Sequence, residues 1–234
     1  MPSRILHLAV TERLLDAFDF RDPARLRIGS VVPDAELLSG DPPVKIAHCP
    51  KLLDGGARKT LDLAGFRAKF SDRLLYDDLV FGYYLHLAGD ILHRKMFYTE
   101  IGWYPVNREA VRALHRDYRL LNPEIIARHG LNFFSAVPAP DLIAQAARDP
   151  LFDGFRMDLP GFFADMAHDF DPPETEPRGE DFSVFTPELA EKWIAGTAET
   201  LIRETDALRR TGRSVLDEDA MSWERKSAVT PKAE

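Results

Sequence analysis

One apolar stretch carries side chains that an apolar core does not want. The run from Phe81 to Phe97 is the most apolar long segment of the chain, yet it contains His86, Asp90 and His93. At 3.6 residues per turn, His86 and Asp90 stand at i and i+4 and leave a helix on one face, with His93 in the same sector a turn further on. A helix this apolar belongs inside the protein, and a carboxylate buried there is costly unless a cation or a metal compensates it. The segment therefore predicts a central helix that holds a metal ion. The remaining donors have to come from elsewhere in the chain.

Composition narrows the alternatives. With 234 residues, 45% of them hydrophobic, the chain can bury a sizeable core as one large domain or two small ones. Thirty basic against 38 acidic residues give a net charge of -8, which disfavours duplex nucleic acid as a partner. It leaves room for a small phosphorylated substrate, because a metal supplies positive charge locally. No run of about 18 apolar residues is present, so no stable membrane insertion is expected. The opening residues Met1 to His7 do not read as an export leader, and the single cysteine, Cys49, leaves no internal disulfide. Both features predict a cytoplasmic protein. Gly55-Gly56 reads as a turn, without the lysine and hydroxyl of a phosphate-binding loop.

The helical pattern extends over most of the chain. Ser3 is positioned to cap a helix over residues 4–17 that carries His7 among Ile5, Leu6, Val10 and Leu14. Pro33 fixes the backbone before Asp34, which either caps a short helix over 35–39 or offers its carboxylate from a constrained turn. His48 sits in a short extended piece ended by Pro50, where adjacent His48 and Cys49 point to opposite sides. Helices are further expected over 61–70 and 108–120, over a separate segment starting at Asn122-Pro123, and over 141–148 and 187–208. The acidic, proline-rich run 171–180 reads as a loop. These elements describe an all-α fold: a single compact multi-helix domain over residues 1–210, built around a central metal-binding helix. Residues 211–234 read as a polar, flexible tail.

His7, Asp34, His48, His86 and Asp90 are nitrogen and oxygen donors suited to zinc, with manganese or iron as alternatives. Five donors exceed one four-coordinate ion, so two zinc ions bridged by Asp90 are expected. His93, His115 and Asp117 are further metal candidates, with His129 behind them. Each histidine also has a plainer reading as a hydrogen-bonded core or surface residue.

These residues resemble the zinc-dependent phospholipase C and P1-type nuclease family. The likeness rests on His7 in the first helix, Asp34 after Val31-Val32-Pro33, His48 before Cys49-Pro50, and His86-x-x-x-Asp90, and it covers roughly residues 1–120. The resemblance implies a helical fold with a zinc cluster in which Asp34, His48, His86 and Asp90 form one site and His7 joins Asp90 at a neighbouring ion. It implies a metal-dependent hydrolase of phosphate esters or phosphodiesters, with Asp34 and Asp90 as the catalytic carboxylates. Two alternatives stand beside it: a non-catalytic helical metal-binding or interaction protein, and a His-Asp type phosphohydrolase using His168-Asp169.

Overall fold

The computed structural model describes residues 2–37, 46–172 and 181–225. Helix α1 (Arg4–Ala17) starts at Ser3, whose hydroxyl accepts from the Leu6 amide. Helix α2 (Pro23–Val31) starts at Asp22, with Pro23 in its first turn, and runs into a 3-10 turn over Val32–Ala35. Helix α4 (Asp78–Lys95), capped by Asp77, is apolar on nearly every side and is accordingly buried on nearly every side; only Leu92, Arg94 and Lys95 escape. Helices α1, α2, α3 (Leu63–Lys69) and α9 (Pro187–Thr211), the last of these the longest, pack around it.

The α2–α4 contact is the tightest in the fold, and two glycines permit it. A Cβ built on Gly29 runs into the Leu79 carbonyl oxygen and comes within 3.0 Å of the Gly82 Cα. A Cβ on Gly82 meets the Leu26 carbonyl oxygen and comes within 2.9 Å of the Ser30 amide nitrogen. The two helices therefore touch backbone to backbone. This fixes the end of α2, and the turn behind it, against the first two turns of α4.

The domain is mainly helical, but it is not all-α. Strands β1 (Pro50–Leu53), β2 (Arg58–Leu61) and β3 (Trp223–Glu224) form an antiparallel sheet in the order β1-β2-β3, with Pro50 opposite Leu61 and Arg58 opposite Glu224. Gly55 and Gly56, at φ +63° and +96°, turn the hairpin. The strands are four, four and two residues long, too short to show a period of two. The third strand also corrects the expectation of a loose tail from residue 211. Glu204 accepts from the Val215 and Leu216 amides, Glu218 accepts from the Ala64 amide, and Trp223 is buried. Residues 226–234 lie outside the described residues, as do 38–45 and 173–180, which hold the end of the expected 35–39 helix and most of the acidic loop.

A second correction concerns Pro123. The break expected there does not occur, and α5 (Arg108–Arg128) runs through it. The proline removes one amide donor, while Leu114, Tyr118, Leu121 and Ile125 bury one continuous face on both sides of it. Helices α6 (Phe133–Ala136), α7 (Pro140–Ala146) and α8 (Leu159–Met166) complete the wall beyond α5.

The glycine crossing yields a paired expectation. Gly29→Ala or Gly82→Ala should destabilise the protein by at least about 2 kcal/mol, because backbone cannot move aside as a side chain can. Gly196→Ala, exposed in α9 with open space around its Cβ, should instead stabilise by about 0.5–1 kcal/mol. Urea unfolding of the three variants measures both.

Candidate metal centre

Four separate elements bring five donors together. His7 comes from α1, Asp34 from the 3-10 turn after α2, His48 from the turn before β1, and His86 with Asp90 from one face of α4. Donor atoms of His7, Asp34 and His86 lie within 4.8 Å of one another, and so do those of His48, His86 and Asp90. His7 Nε2 stands 3.6 Å from Asp90 Oδ1, His48 Nε2 3.7 Å from Asp90 Oδ2, and His48 Nε2 3.3 Å from His86 Nε2. Two buried His/Asp triads able to coordinate a metal ion therefore share His86.

Hydrogen bonding sets these groups in a state ready to bind a metal. His86 Nδ1 lies 2.9 Å from the Ser30 carbonyl oxygen. A carbonyl only accepts, so Nδ1 carries the proton and Nε2 turns its lone pair into the cluster. Burial, reinforced by neighbouring His7, pushes the His86 pKa down to about 3, so the ring is neutral. Burial alone would raise the Asp34 and Asp90 pKa values. The net shift is downward in both, because His48 and His86 face Asp34, and Arg94 and His7 face Asp90. A neutral His86 beside ionised carboxylates suits a divalent cation.

The donor set also leaves atoms unused. His7 Nε2, Asp34 Oδ1 and Asp90 Oδ1 are buried with no hydrogen bond among the described residues. His48 Nε2 approaches Asp34 Oδ1 at 3.2 Å, but without the angle of a hydrogen bond, so the attraction there is electrostatic. Buried polar atoms are nearly always satisfied, and three unsatisfied donor atoms pointing at one another fit a cation between them.

Residues absent from the sequence reading hold the donors in place. Glu36, itself buried, accepts from the Ile46 and Ala47 amides at 2.8 and 2.9 Å, clamping the His48 turn to the Asp34 turn. Tyr83 donates its hydroxyl to the Ala47 carbonyl from α4. Cys49 takes a left-handed φ of +46°, a conformation uncommon for a residue with a Cβ. The Asp34 turn is in turn tied to the strand-like segment at 156–158 through Leu37 N to Arg156 O and Asp158 N to Ala35 O. Arg94 reaches back to Asp90 Oδ2 at 3.1 Å and lies over the Trp223 ring. A Glu two residues after Asp34 and an Arg four after Asp90 were the available signals, and neither is distinctive by itself.

The further metal candidates lie elsewhere. His93 Nε2 bonds the Tyr118 hydroxyl at 2.9 Å and its ring stacks on Phe97, in an aromatic pocket with Trp193 and Phe185. Asp117 is consumed by backbone: its carboxylate accepts from the amides of Ser183, Val184 and Phe185. His129 pairs with Glu191. The His168-Asp169 doublet is divided, since His168 pairs with Asp171 and Asp169 with Arg4. His115 sits on the surface of α5, stacked against Tyr118.

His115 nevertheless lines a cleft that reaches the cluster at Asp34. A cleft of about 610 Å³ is lined by the start of α1, by His115, Tyr118, Arg119 and Asn122 of α5, and by the segment from Phe162 to Asp171. Of the five donors only Asp34 lines it, and the Asp34 side chain keeps 17% of its surface exposed while that of Asp90 keeps none. Of the five donor side chains, Asp34 is therefore the one that meets this cleft. No family model matches the chain, and no curated protein or solved structure matches it either.

Two expectations follow. An unfolded imidazole takes up its proton near about pH 6.5, whereas folded His86 stays neutral down to about 3. Its contribution to stability is therefore complete above the unfolded value and is lost as the pH falls toward the folded one. Asp34 and Asp90, held below the usual carboxylate range, add losses only below about pH 4. The melting temperature of metal-free protein should fall continuously from about pH 7 to pH 4, with a shallower slope in His86→Gln. Separately, Asp117→Asn should cost about 2–3 kcal/mol by stranding amides of residues 183–185, while leaving metal content unchanged. Thermal melts and elemental analysis check the second point.

Proposed function

We propose that this protein is a metal-dependent hydrolase of small phosphate esters or phosphodiesters, and that its centre holds two zinc ions, with manganese or iron as substitutes. One observation carries the reading: a buried cluster of His and Asp donors, with His86 neutral and Asp34 and Asp90 ionised, meets a cleft of substrate size at Asp34. The three imidazoles and two carboxylates form a borderline donor set of the kind zinc prefers. His86 Nε2 has one lone pair and would serve one ion. Asp90, with Oδ1 toward His7 and Oδ2 toward His48, would be the carboxylate able to serve two.

Ions held there would supply activation of water and neutralisation of phosphoryl charge. The chain does the rest. Ser30 orients His86, Glu36 and Tyr83 hold the His48 turn, and Arg94 braces Asp90. Asp34, at the mouth, is the carboxylate that meets substrate and water, and with Asp90 it forms the catalytic pair. The resemblance to zinc-dependent phospholipase C and P1-type nucleases supports this assignment, and we propose a divergent relationship to them. No helix among the described residues is long and apolar enough to cross a membrane, which suits a substrate met in water.

The complete burial of His86 and Asp90 favours one other reading, a metal kept for structure alone. Elemental analysis and assays on bis-p-nitrophenyl phosphate and p-nitrophenyl phosphate separate the two. The hydrolase reading expects about two ions per chain and turnover that Asp34→Asn lowers by at least about 100-fold. Asp90→Asn should lose metal with helicity retained on circular dichroism. Protein that binds no transition metal, and melts identically with and without chelator, would overturn both readings.

A further inference from the structure

The cleft contains cations in two distinct situations. Arg4 is fully engaged: Nη1 is 2.7 Å from Asp165, Nε is 2.8 Å from Asp169, and its guanidinium lies over the Phe162 ring. His168 is engaged with Asp171 at 2.9 Å. Arg119 has no carboxylate against it among the described residues, although three aspartates line the opposite wall. It stands on α5 one turn beyond His115, about 6 Å along the axis, and the two share a helical face. Asp34, His115 and Arg119 line the same cleft, and His115 lies within electrostatic reach of the other two. Beside them Asn122, buried to 4% exposure, has its Oδ1 without a partner while its Nδ2 donates to Asp169 at 3.3 Å. A guanidinium without a carboxylate partner and a buried acceptor without a donor, both among the described residues and in one cleft wall, are the parts of a binding site.

We propose that Arg119 and His115 form an anion subsite for the part of the substrate that points away from the metal centre, so that the preferred substrate is a phosphate ester whose leaving group bears a second anionic group. This inference rests on the hydrolase reading above and adds its substrate class. The phosphoryl group meets the centre at Asp34. The distal carboxylate or phosphate accepts hydrogen bonds from the planar guanidinium of Arg119, with the His115 ring along its side. Asn122 Oδ1 accepts from a hydroxyl between the two ends. Arg119 here is a specificity-determining residue and takes no part in bond breaking.

Isothermal titration of zinc-loaded protein with ethylphosphonate and with 3-phosphonopropionate tests this, since the two probes differ only by the distal carboxylate. We expect 3-phosphonopropionate to bind about tenfold more tightly to the wild type. Arg119→Gln should abolish that advantage, Arg119→Lys should retain part of it, and ethylphosphonate affinity and zinc content should stay unchanged in both. Equal affinity of the two probes for zinc-loaded wild type would overturn the subsite while leaving the metal centre standing. An advantage that persists in Arg119→Gln would overturn the assignment to Arg119. Failure of the wild type to take up zinc at all is a failure of the hydrolase reading, visible before any phosphonate is added.

Discussion

The backbone contact between α2 and α4 is the constraint on which the rest of the structure depends. With no Cβ at Gly29 or Gly82, the helices approach until carbonyls and amides of one face those of the other. That approach puts the Ser30 carbonyl within hydrogen-bonding distance of His86, which a side-chain-spaced crossing would not allow. It also delivers the turn after α2, and so Asp34, to the level of Asp90. The tautomer of one ligand and the placement of another thus follow from two hydrogen atoms standing where methyl groups would be.

Around that contact the molecule accepts an electrostatic burden. Two ionised carboxylates are buried or nearly so, against three imidazoles and one guanidinium. Arg94 relieves Asp90 only in part, since Oδ1 is left without a partner. Arg94 is itself held by the Trp223 ring, so the last described strand contributes to the centre from the far end of the sequence. The desolvation of these charges is a cost the surrounding core sustains, and a bound cation removes much of it.

The donors were legible in the sequence because they violate a local rule. His86 and Asp90 interrupt a run that is otherwise core, and only a tertiary partner makes sense of them. His93 breaks the same rule but finds its partner in the Tyr118 hydroxyl, and the pattern of one helix cannot separate those outcomes. Asp117 is similar: a buried carboxylate satisfied by three backbone amides looks in sequence like one satisfied by a metal. Glu36 was invisible because its role is to accept from amides ten and eleven residues away, which leaves no periodic trace. The strands are too short to leave a pattern in the sequence, and the local cost of Pro123 is visible there while the long apolar face of α5 that outweighs it is set by tertiary packing.

The chain distributes its work unevenly along its length. All five donors fall between His7 and Asp90, whereas the cleft walls beyond Asp34 come chiefly from Pro2 to Arg4 and from His115 to Asp171. Capacity for an ion and the shape of the space in front of it are therefore encoded largely apart. Substitutions along α5 and α8 can reshape the cleft without altering a ligand, and the glycine crossing is untouched by them. A scaffold divided in this way can keep one inorganic centre while its organic specificity drifts.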